Sequence, residues 1–313
     1  MLLNVTEYHR PETIAEAVRL LARPGIKTAA LAGGTLLVGQ RDDELRALVD
    51  LRALGLNTIS EQGSQMRFGA MLTLQALVDS PLARAMVGGI LVQAAGTSAA
   101  RLIRNAATIG GTLASGPAAN ADLPVALAAL DAQARLIGQA ERLVPAETVF
   151  EERQPGELLV EIIIERPPAH AEGAGARATI GSETAGTGFP QAPAAEGAFV
   201  RVARAPDDVA LVHAAAFLLI QSGICQQARV AVGGAGMASA RLHAAESLLA
   251  GQSITQEHIA AAVVAGIDAF APPPDFRASP AYRRDVAATL ARRALEQCAD
   301  AARWKQLMGN NKA

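Results

Sequence analysis

Two glycine pairs with hydroxyl residues beside them are the parts of this sequence best suited to binding chemistry. Residues 31–37 read Leu-Ala-Gly-Gly-Thr-Leu-Leu, and residues 108–112 read Thr-Ile-Gly-Gly-Thr. Glycine has no Cβ, so the backbone at each pair can adopt positive φ and lie flat against a ligand. Neighbouring N–H groups exposed in this way form a concavity that suits an anion such as phosphate. The two copies together predict a site that holds one diphosphate from two sides.

Neither glycine pair is a standard nucleotide-binding fingerprint. Both lack the G-x-G-x-x-G spacing, and no Gly-Lys-Ser/Thr follows as in a P-loop. One Thr-Ile-Gly-Gly-Thr alone would be best explained as a tight turn, because glycine pairs commonly interrupt loops. The repetition favours the binding interpretation, with each copy expected in a loop after a short strand. The hydroxyl groups of Thr108, Thr112 and Ser115 are expected to add donors around the same pocket.

The other reactive side chains give little support to a different chemistry. The five histidines show no metal-ligand spacing, and two cysteines are too few for a metal cluster or a disulfide framework. His213 lies in an apolar run and is expected to be a hydrogen-bonded core histidine. No Ser/His/Asp arrangement or paired carboxylates indicate hydrolysis. We therefore predict no catalytic residue and no metal site in this chain.

Length and charge limit the class of protein. The 313 residues are enough for two domains with a sizeable core. A net charge of −2 gives no reason to expect binding to nucleic acid or to an anionic membrane. The longest apolar run, residues 209–220, is interrupted by His213 and is shorter than the roughly 20 residues of a membrane span. No signal peptide is visible, so we expect a cytoplasmic protein.

The first glycine pair is predicted to lie in a compact β-α-β unit, residues 1–55. An amphipathic helix is expected to start at Pro11, which suits the first turn of a helix. Apolar residues 28–32 predict the strand that leads into the first pair, and residues 45–51 predict a returning strand.

The second glycine pair is predicted to lie in a larger unit, residues 56–168. Thr73 is a candidate helix cap, and Gly88-Gly89 are expected to interrupt a helix. Residues 158–164 are β-branched without alternation, which suits a strand buried on both faces. The predicted strands are residues 66–70, 132–137 and 158–164, and the predicted helices are residues 72–78, 81–96, 122–131 and 145–150.

The remaining sequence changes character twice. Residues 169–197 are rich in Ala, Gly, Thr and Pro, which predicts a flexible insertion or linker, with packing against a partner subunit as the alternative. Residues 198–308 are predicted to form a separate α+β domain with an antiparallel sheet. Its predicted strands are residues 199–204 and 228–234, its predicted helices are residues 240–250, 255–270 and 281–304, and residues 207–219 are predicted as a helix or a further strand.

The order and spacing of these motifs resemble the FAD-binding (medium) subunit of the molybdenum hydroxylases, the family of xanthine dehydrogenase and carbon monoxide dehydrogenase. The family pattern is Ala-Gly-Gly-Thr/His-x-Leu, then Thr-Ile-Gly-Gly-Asn, then Asp-Leu-Pro. This chain departs from it at Thr112, where Asn is usual, and at the long segment 169–197. The similarity also includes residues 8–11, 48–52, 69–73, 155–159, 282–284 and 292–294.

The resemblance implies the fold class. It implies an α+β chain with a two-lobed FAD-binding domain of the vanillyl-alcohol oxidase (PCMH) type, residues 1–168. The lobes would be about 1–55 and 56–168. A smaller α+β C-terminal domain of the carbon monoxide dehydrogenase flavoprotein type, with an antiparallel sheet and helices, would follow at residues 198–308.

The resemblance also implies the cofactor-binding residues. Asp122 and Ser115 would lie near the ribose or adenine end of FAD, with a helix N-cap as the alternative role of Asp122. Leu159 would pack on the flavin ring. Arg201 would approach the flavin and stabilise its reduced anionic form, or would be an ordinary exposed strand arginine. The FAD pyrophosphate would be held by Ala32, Gly33, Gly34, Thr35 and Leu36 and by Thr108, Gly110, Gly111 and Thr112.

Two arginines lie shortly before the second glycine pair. Arg101 and Arg104 could neutralise a diphosphate, pair with carboxylates of a partner, or be solvated residues at a helix end.

The resemblance implies electron transfer as the function. FAD, held without a covalent bond, would receive electrons from a small subunit with two [2Fe–2S] clusters and pass them to NAD+, a quinone or another acceptor. A large molybdopterin subunit would select the substrate, and the assembly would be a dimer of heterotrimers, a heterohexamer. The alternatives are a stand-alone FAD-dependent oxidase or dehydrogenase and a flavin-free assembly subunit.

Overall fold

The computed structural model describes residues 4–119, 122–167, 193–205, 208–234 and 236–310. Most of the predicted insertion therefore lies outside the described residues. Its predicted end at residue 197 is wrong, because residues 194–197 already belong to a strand of the third sheet. This strand begins earlier than predicted because Ala194 pairs with Ile220 and is buried there.

The first sheet confirms the predicted β-α-β unit. It is parallel, with the strand order β1-β3-β2, and helix α1 packs against it. The helix begins three residues later than predicted, because Thr13 rather than Pro11 starts it. The Oγ1 of Thr13 accepts a hydrogen bond from the Glu16 N–H at 3.2 Å. The elements are β1 (Glu7–His9), α1 (Ile14–Leu21), β2 (Thr28–Leu31) and β3 (Ala47–Asp50).

The second sheet has five antiparallel strands in the order β4-β5-β8-β6-β7. Strand β8 lies at its centre and is buried along almost its whole length, as its unbroken apolar run predicts. The two edge strands, β4 and β7, were not predicted because both are short and partly exposed, and neither has the long apolar run of β8. The strands are β4 (Ile59–Gln62), β5 (Gln65–Gly69), β6 (Gln133–Ile137), β7 (Glu141–Pro145) and β8 (Leu158–Glu165).

Short helices cover the second sheet. Thr73 caps α2, since its Oγ1 accepts from the Ala76 N–H at 3.1 Å. Gly88 and Gly89 separate α3 from α4 and have φ values of 65° and 71°, which confirms the predicted interruption. The helices are α2 (Leu74–Asp79), α3 (Pro81–Ala85), α4 (Ile90–Thr97), α5 (Arg101–Arg104), α6 (Ile109–Ala114), α7 (Leu123–Ala129) and α8 (Val149–Glu152).

The third sheet forms the C-terminal part of the chain, with four antiparallel strands in the order β12-β11-β10-β9. The segment predicted as helix or strand is strand β10. The helix predicted from residue 240 begins at His243, because residues 237–241 pair with β11 as a strand. The elements are β9 (Ala194–Val202), β10 (Val212–Gln221), β11 (Ile224–Gly234), β12 (Met237–Arg241), α9 (His243–Leu249), α10 (Gln256–Gly266) and α11 (Pro280–Asn310).

The third sheet is covered on both faces. It therefore joins the core formed with the second sheet to the core formed with α9, α10 and α11. Ala215 and Phe217 of β10 belong to the core formed with the second sheet and its helices. Ala214, Ala216 and Leu218 alternate with them and belong to the core formed with α9, α10 and α11. Alternate side chains of a strand point to opposite faces, so one strand contributes to both cores. No helix among the described residues is long and apolar enough to cross a membrane.

The second sheet provides a direct test of the core. Leu136 on β6 is fully buried, whereas Leu143 on the neighbouring β7 is 57% exposed. Leu136→Ala is expected to lower the free energy of unfolding by about 2–5 kcal/mol, because it leaves a cavity. The matched Leu143→Ala is expected to cost less than about 1 kcal/mol. Urea unfolding followed by circular dichroism measures both, and equal effects would contradict the assigned faces.

Candidate functional site

An open cavity of about 970 Å³ lies between the first sheet and the second. Both glycine pairs lie in its wall, although 75 residues of sequence, residues 35–109, separate them. Neither Asp122 nor Arg201 is among the lining residues. The predicted site residues that line it are Ala32, Gly33, Gly34, Thr35, Leu36, Thr108, Gly110, Gly111, Thr112, Ser115 and Leu159.

The first glycine pair lies in the loop that follows β2, as predicted. Gly34 has φ of 70°, a conformation that favours glycine. Within the described part of the chain, the N–H groups of residues 33–36 donate to no protein acceptor. Because these residues are only partly buried, their N–H groups are open to solvent and to a ligand in the cavity. Their position in the cavity wall therefore makes this loop suited to bind an anionic ligand.

The second glycine pair is built differently from the prediction. It follows helix α5 rather than a strand, and it forms the first turn of α6. The N–H of Gly110 donates to the Ala70 carbonyl at 2.8 Å, and the N–H of Gly111 donates to Thr108 Oγ1 at 3.0 Å. Neither glycine has a positive φ. The expectation that this pair exposes its N–H groups is therefore wrong, because the protein itself uses them.

The glycines allow separate backbone segments to approach each other closely. A Cβ on Gly33 would lie 1.9 Å from the Ala106 carbonyl oxygen. A Cβ on Gly110 would lie 2.7 Å from the Ala70 Cβ. Real Cβ atoms do not approach other atoms so closely, so any larger residue would push the segments apart. The absence of a Cβ thus brings the first loop, the end of β5 and the start of α6 together in one wall.

The hydroxyl groups of the second motif are partly used within α6. Thr108 Oγ1 caps the helix, and Ser115 Oγ donates to the Gly111 carbonyl at 2.7 Å. Thr112 is only 6% exposed and lines the cavity. Its hydroxyl makes no hydrogen bond with any side chain or backbone group in the described ranges, so it remains available to a ligand. Of the three predicted hydroxyl donors, Thr112 is the best placed.

Arg101 and Arg104 lie outside the cavity lining. The guanidinium of Arg104 donates to the Gly96 carbonyl at 2.7 Å and to Gln75 Oε1 at 3.1 Å, which holds α5 against the neighbouring helices. Arg101 is exposed at the start of α5. The structure thus assigns Arg104 a packing role rather than the predicted neutralisation of a diphosphate.

Asp122 is the centre of a buried polar cluster at the junction with the third sheet. It is 1% exposed; Thr97 Oγ1 donates to it at 2.7 Å, and His213 Nδ1 lies 2.8 Å from its Oδ1. The Nε of Arg201 lies 3.2 Å from its Oδ2. The prediction of a hydrogen-bonded core histidine is confirmed. Asp122 lies at the N-cap position of α7, as the alternative predicted, but its side chain makes no capping hydrogen bond.

Arg201 is not an ordinary exposed strand arginine, so the alternative given for it above is wrong. Its side chain is 12% exposed, and its Nη1 donates to the Thr97 carbonyl at 2.9 Å. The cluster therefore connects α4 and α7 to the third sheet. The roles of Asp122 and Arg201 as cofactor contacts stay predictions.

The sequence analysis missed several charged residues of the cavity wall. Glu157 is held by Arg142, whose Nε and Nη2 donate to its two carboxylate oxygens at 2.8 and 2.9 Å. This pairing lowers the pKa of the Glu157 carboxyl group. In the sequence, the only feature that could have indicated these residues is their position, since they flank the predicted strands. The missed charged lining residues are Arg23, Lys27, Arg153 and Glu157.

Two family models match the chain. The model described as the FAD binding domain in molybdopterin dehydrogenase matches residues 4–167. The model of the CO dehydrogenase flavoprotein C-terminal domain matches residues 197–298. The chain belongs to the FAD-binding subunits of the molybdopterin dehydrogenases. As a member of this family it is an oxidoreductase subunit, and the predicted fold class is confirmed.

Known relatives of this FAD-binding subunit match it over nearly its whole length. It is 32% identical to the 6-hydroxypseudooxynicotine dehydrogenase complex subunit alpha of Paenarthrobacter nicotinovorans, over 95% of each chain. It is 31% identical to the carbon monoxide dehydrogenase medium chain of Afipia carboxidovorans, over 95% of this chain and 98% of that one. A solved carbon monoxide dehydrogenase from Hydrogenophaga pseudoflava superposes with a TM-score of 0.80 at 28% identity, covering 95% of this chain and 98% of that one.

The geometry of the cavity fits FAD. Its volume of about 970 Å³ lies near the top of the range of about 300–1,000 Å³ for ligand pockets, as a dinucleotide requires. The N–H groups of the first loop suit phosphate oxygens, and the buried Leu159 offers an apolar surface to a flat ring. The residues present therefore match the cofactor that the family binds.

The close approach at Gly33 predicts a loss of cofactor on a minimal substitution. Gly33→Ala is expected to displace the first loop from Ala106, at a cost of about 1–3 kcal/mol in stability, and to release FAD. Gly39→Ala is the matched control, because nothing lies within 4 Å of its added Cβ. The flavin absorbance per chain and the melting temperature measure both effects. Full flavin content in Gly33→Ala would contradict the role of this contact.

Proposed function

We propose that this chain holds FAD non-covalently in the cavity between its first two sheets and serves as the electron-transfer subunit of a molybdenum hydroxylase. Electrons would enter from [2Fe–2S] clusters of a small partner subunit and leave to NAD+, a quinone or another acceptor. The observation that supports this most is the first glycine loop, whose N–H groups line the cavity without a protein acceptor among the described residues.

The residues of the cavity suit binding rather than acid–base chemistry. No histidine or tyrosine of the described ranges lines it. The carboxylate in its wall, Glu157, is occupied by Arg142. A stand-alone FAD-dependent oxidase would need a base beside the flavin to take a proton from its substrate. The lining therefore favours an electron-transfer subunit over a stand-alone oxidase.

The chain's own contribution is to bind and orient the cofactor. Bound FAD supplies the redox chemistry, and the protein tunes it through position and surroundings. The first loop would hold the pyrophosphate, Thr112 would add a hydroxyl group, and Leu159 would contact the ring. Because both glycine pairs are present and tightly packed, a flavin-free assembly subunit is the weaker proposal.

The names of the relatives support the proposed partners. The relatives are named as an alpha subunit of a complex and as medium chains of carbon monoxide dehydrogenase. We propose a large molybdopterin subunit and a small [2Fe–2S] subunit as partners, assembled as a dimer of heterotrimers in the cytoplasm. We also propose that residues 1–168 bind the cofactor and that the second domain, predicted as residues 198–308, begins at Ala194 with strand β9.

The flavin content of the purified chain tests the proposed cofactor site. Heating the protein is expected to release about one FAD per chain into the supernatant, because no covalent bond holds it. The absorption spectrum and chromatography of the released flavin identify it. A colourless protein that takes up no added FAD would contradict the site, and flavin retained in the precipitate would contradict non-covalent binding.

The metal content of the assembly tests the proposed partners. A tagged chain purified from its native host is expected to bring iron, acid-labile sulfide and molybdenum with it, because partner subunits carry those centres. Elemental analysis measures this. Flavin without iron and molybdenum in a stable preparation would favour the stand-alone oxidase.

A further inference from the structure

The positively charged side chains that line the FAD cavity differ in whether a carboxylate neutralises them. Within the described ranges its cationic lining residues are Arg23, Lys27 and Arg153. Arg23 is neutralised by Glu7, with Nη1 to Oε2 at 2.8 Å. Lys27 is neutralised by Asp42, with Nζ to Oδ2 at 2.9 Å. These two charges are already balanced inside the first lobe.

Arg153 has no such partner. No carboxylate of the described residues lies within 4.0 Å of its guanidinium, and its one side-chain hydrogen bond is a long 3.4 Å contact from Nη1 to the Glu157 carbonyl. The Glu157 carboxylate attracts Arg153 only from beyond ion-pair distance, because Arg142 and the Gln154 N–H occupy that group at 2.8–2.9 Å. Arg153 therefore contributes an unbalanced positive charge to the cavity wall.

The backbone that carries Arg153 is held firmly. Its N–H donates to the Val149 carbonyl at 3.0 Å, at the end of α8. The following turn passes through Gly156, which has φ of 84° and packs so closely on Ala22 of the first lobe that an added Cβ would lie 3.0 Å from it. The turn thus bridges the two lobes, and the exposed arginine side chain is free to adjust to a ligand.

We propose that Arg153 pairs with the diphosphate of FAD and is the main source of positive charge for it. This inference rests on the proposed function, which assigns FAD to this cavity. The diphosphate is anionic, and the first loop offers it only neutral N–H groups. A guanidinium can give two parallel charge-assisted hydrogen bonds to phosphate oxygens, and among the described lining residues Arg153 is the one cation without a carboxylate partner.

The test measures the binding of FAD to the apoprotein of the full chain. Quenching of flavin fluorescence reports the affinity. Arg153→Gln is expected to weaken FAD binding roughly ten- to hundredfold, the usual effect of losing charged hydrogen bonds. Arg153→Lys is expected to lose less, since it keeps the charge without the planar fork. Arg293→Gln is the matched control, because Arg293 is exposed on α11 and lies outside the cavity lining. This variant is expected to bind FAD with the affinity of the wild type.

The dependence on salt separates charge pairing from packing. Added salt is expected to weaken FAD binding in the wild type and in Arg153→Lys, and much less in Arg153→Gln, because ions screen a charge pair. Unchanged FAD affinity in Arg153→Gln, or weaker binding with an unchanged salt dependence, would overturn the inference and leave the proposed function standing. Wild-type apoprotein that binds no FAD would overturn both.

Discussion

The close contact between the Gly33 backbone and the Ala106 carbonyl is the constraint on which the cofactor cavity depends. A single added carbon would lie 1.9 Å from that oxygen. The same principle operates at Gly110, whose missing Cβ leaves room for Ala70. The Gly33 contact lets the two lobes of the first domain meet backbone to backbone, and it places the first loop in the cavity wall. The absence of a Cβ at Gly33 and at Gly110 thus determines the shape of this cavity wall.

A second constraint holds the C-terminal domain against the cofactor domain. Asp122, His213 and Arg201 form a buried polar cluster across the junction, in which Arg201 pairs with Asp122. Burying a charge costs free energy unless the charge is paired. Removing one partner would therefore leave the others buried without a partner in an apolar environment. The cluster therefore favours one arrangement of the domains. Phe217 adds an apolar contact from the third sheet to the core of the second, so both kinds of interaction act at the same junction.

Local patterns predicted the elements that depend on near neighbours. The Thr73 cap, the glycine interruption of the α3–α4 region and the buried central strand β8 were all predicted, because capping, glycine conformation and apolar runs act over a few residues. Edge strands β4 and β7 were missed because their polar residues carry no such pattern. The second glycine motif was predicted as a loop. It is helical because Thr108 caps α6 and the distant Ala70 carbonyl accepts the Gly110 N–H.

The family and its cofactor could be predicted from the sequence, because the glycine pairs, their order and their spacing are properties of the chain. Only the tertiary structure decided which of their N–H groups remain available, since that depends on acceptors brought from elsewhere in the fold. It also decided that Asp122 faces His213 and that Arg153 lacks a carboxylate while Arg23 has one. Charge balance and hydrogen-bond satisfaction depend on neighbours in space, which no local pattern of residues specifies.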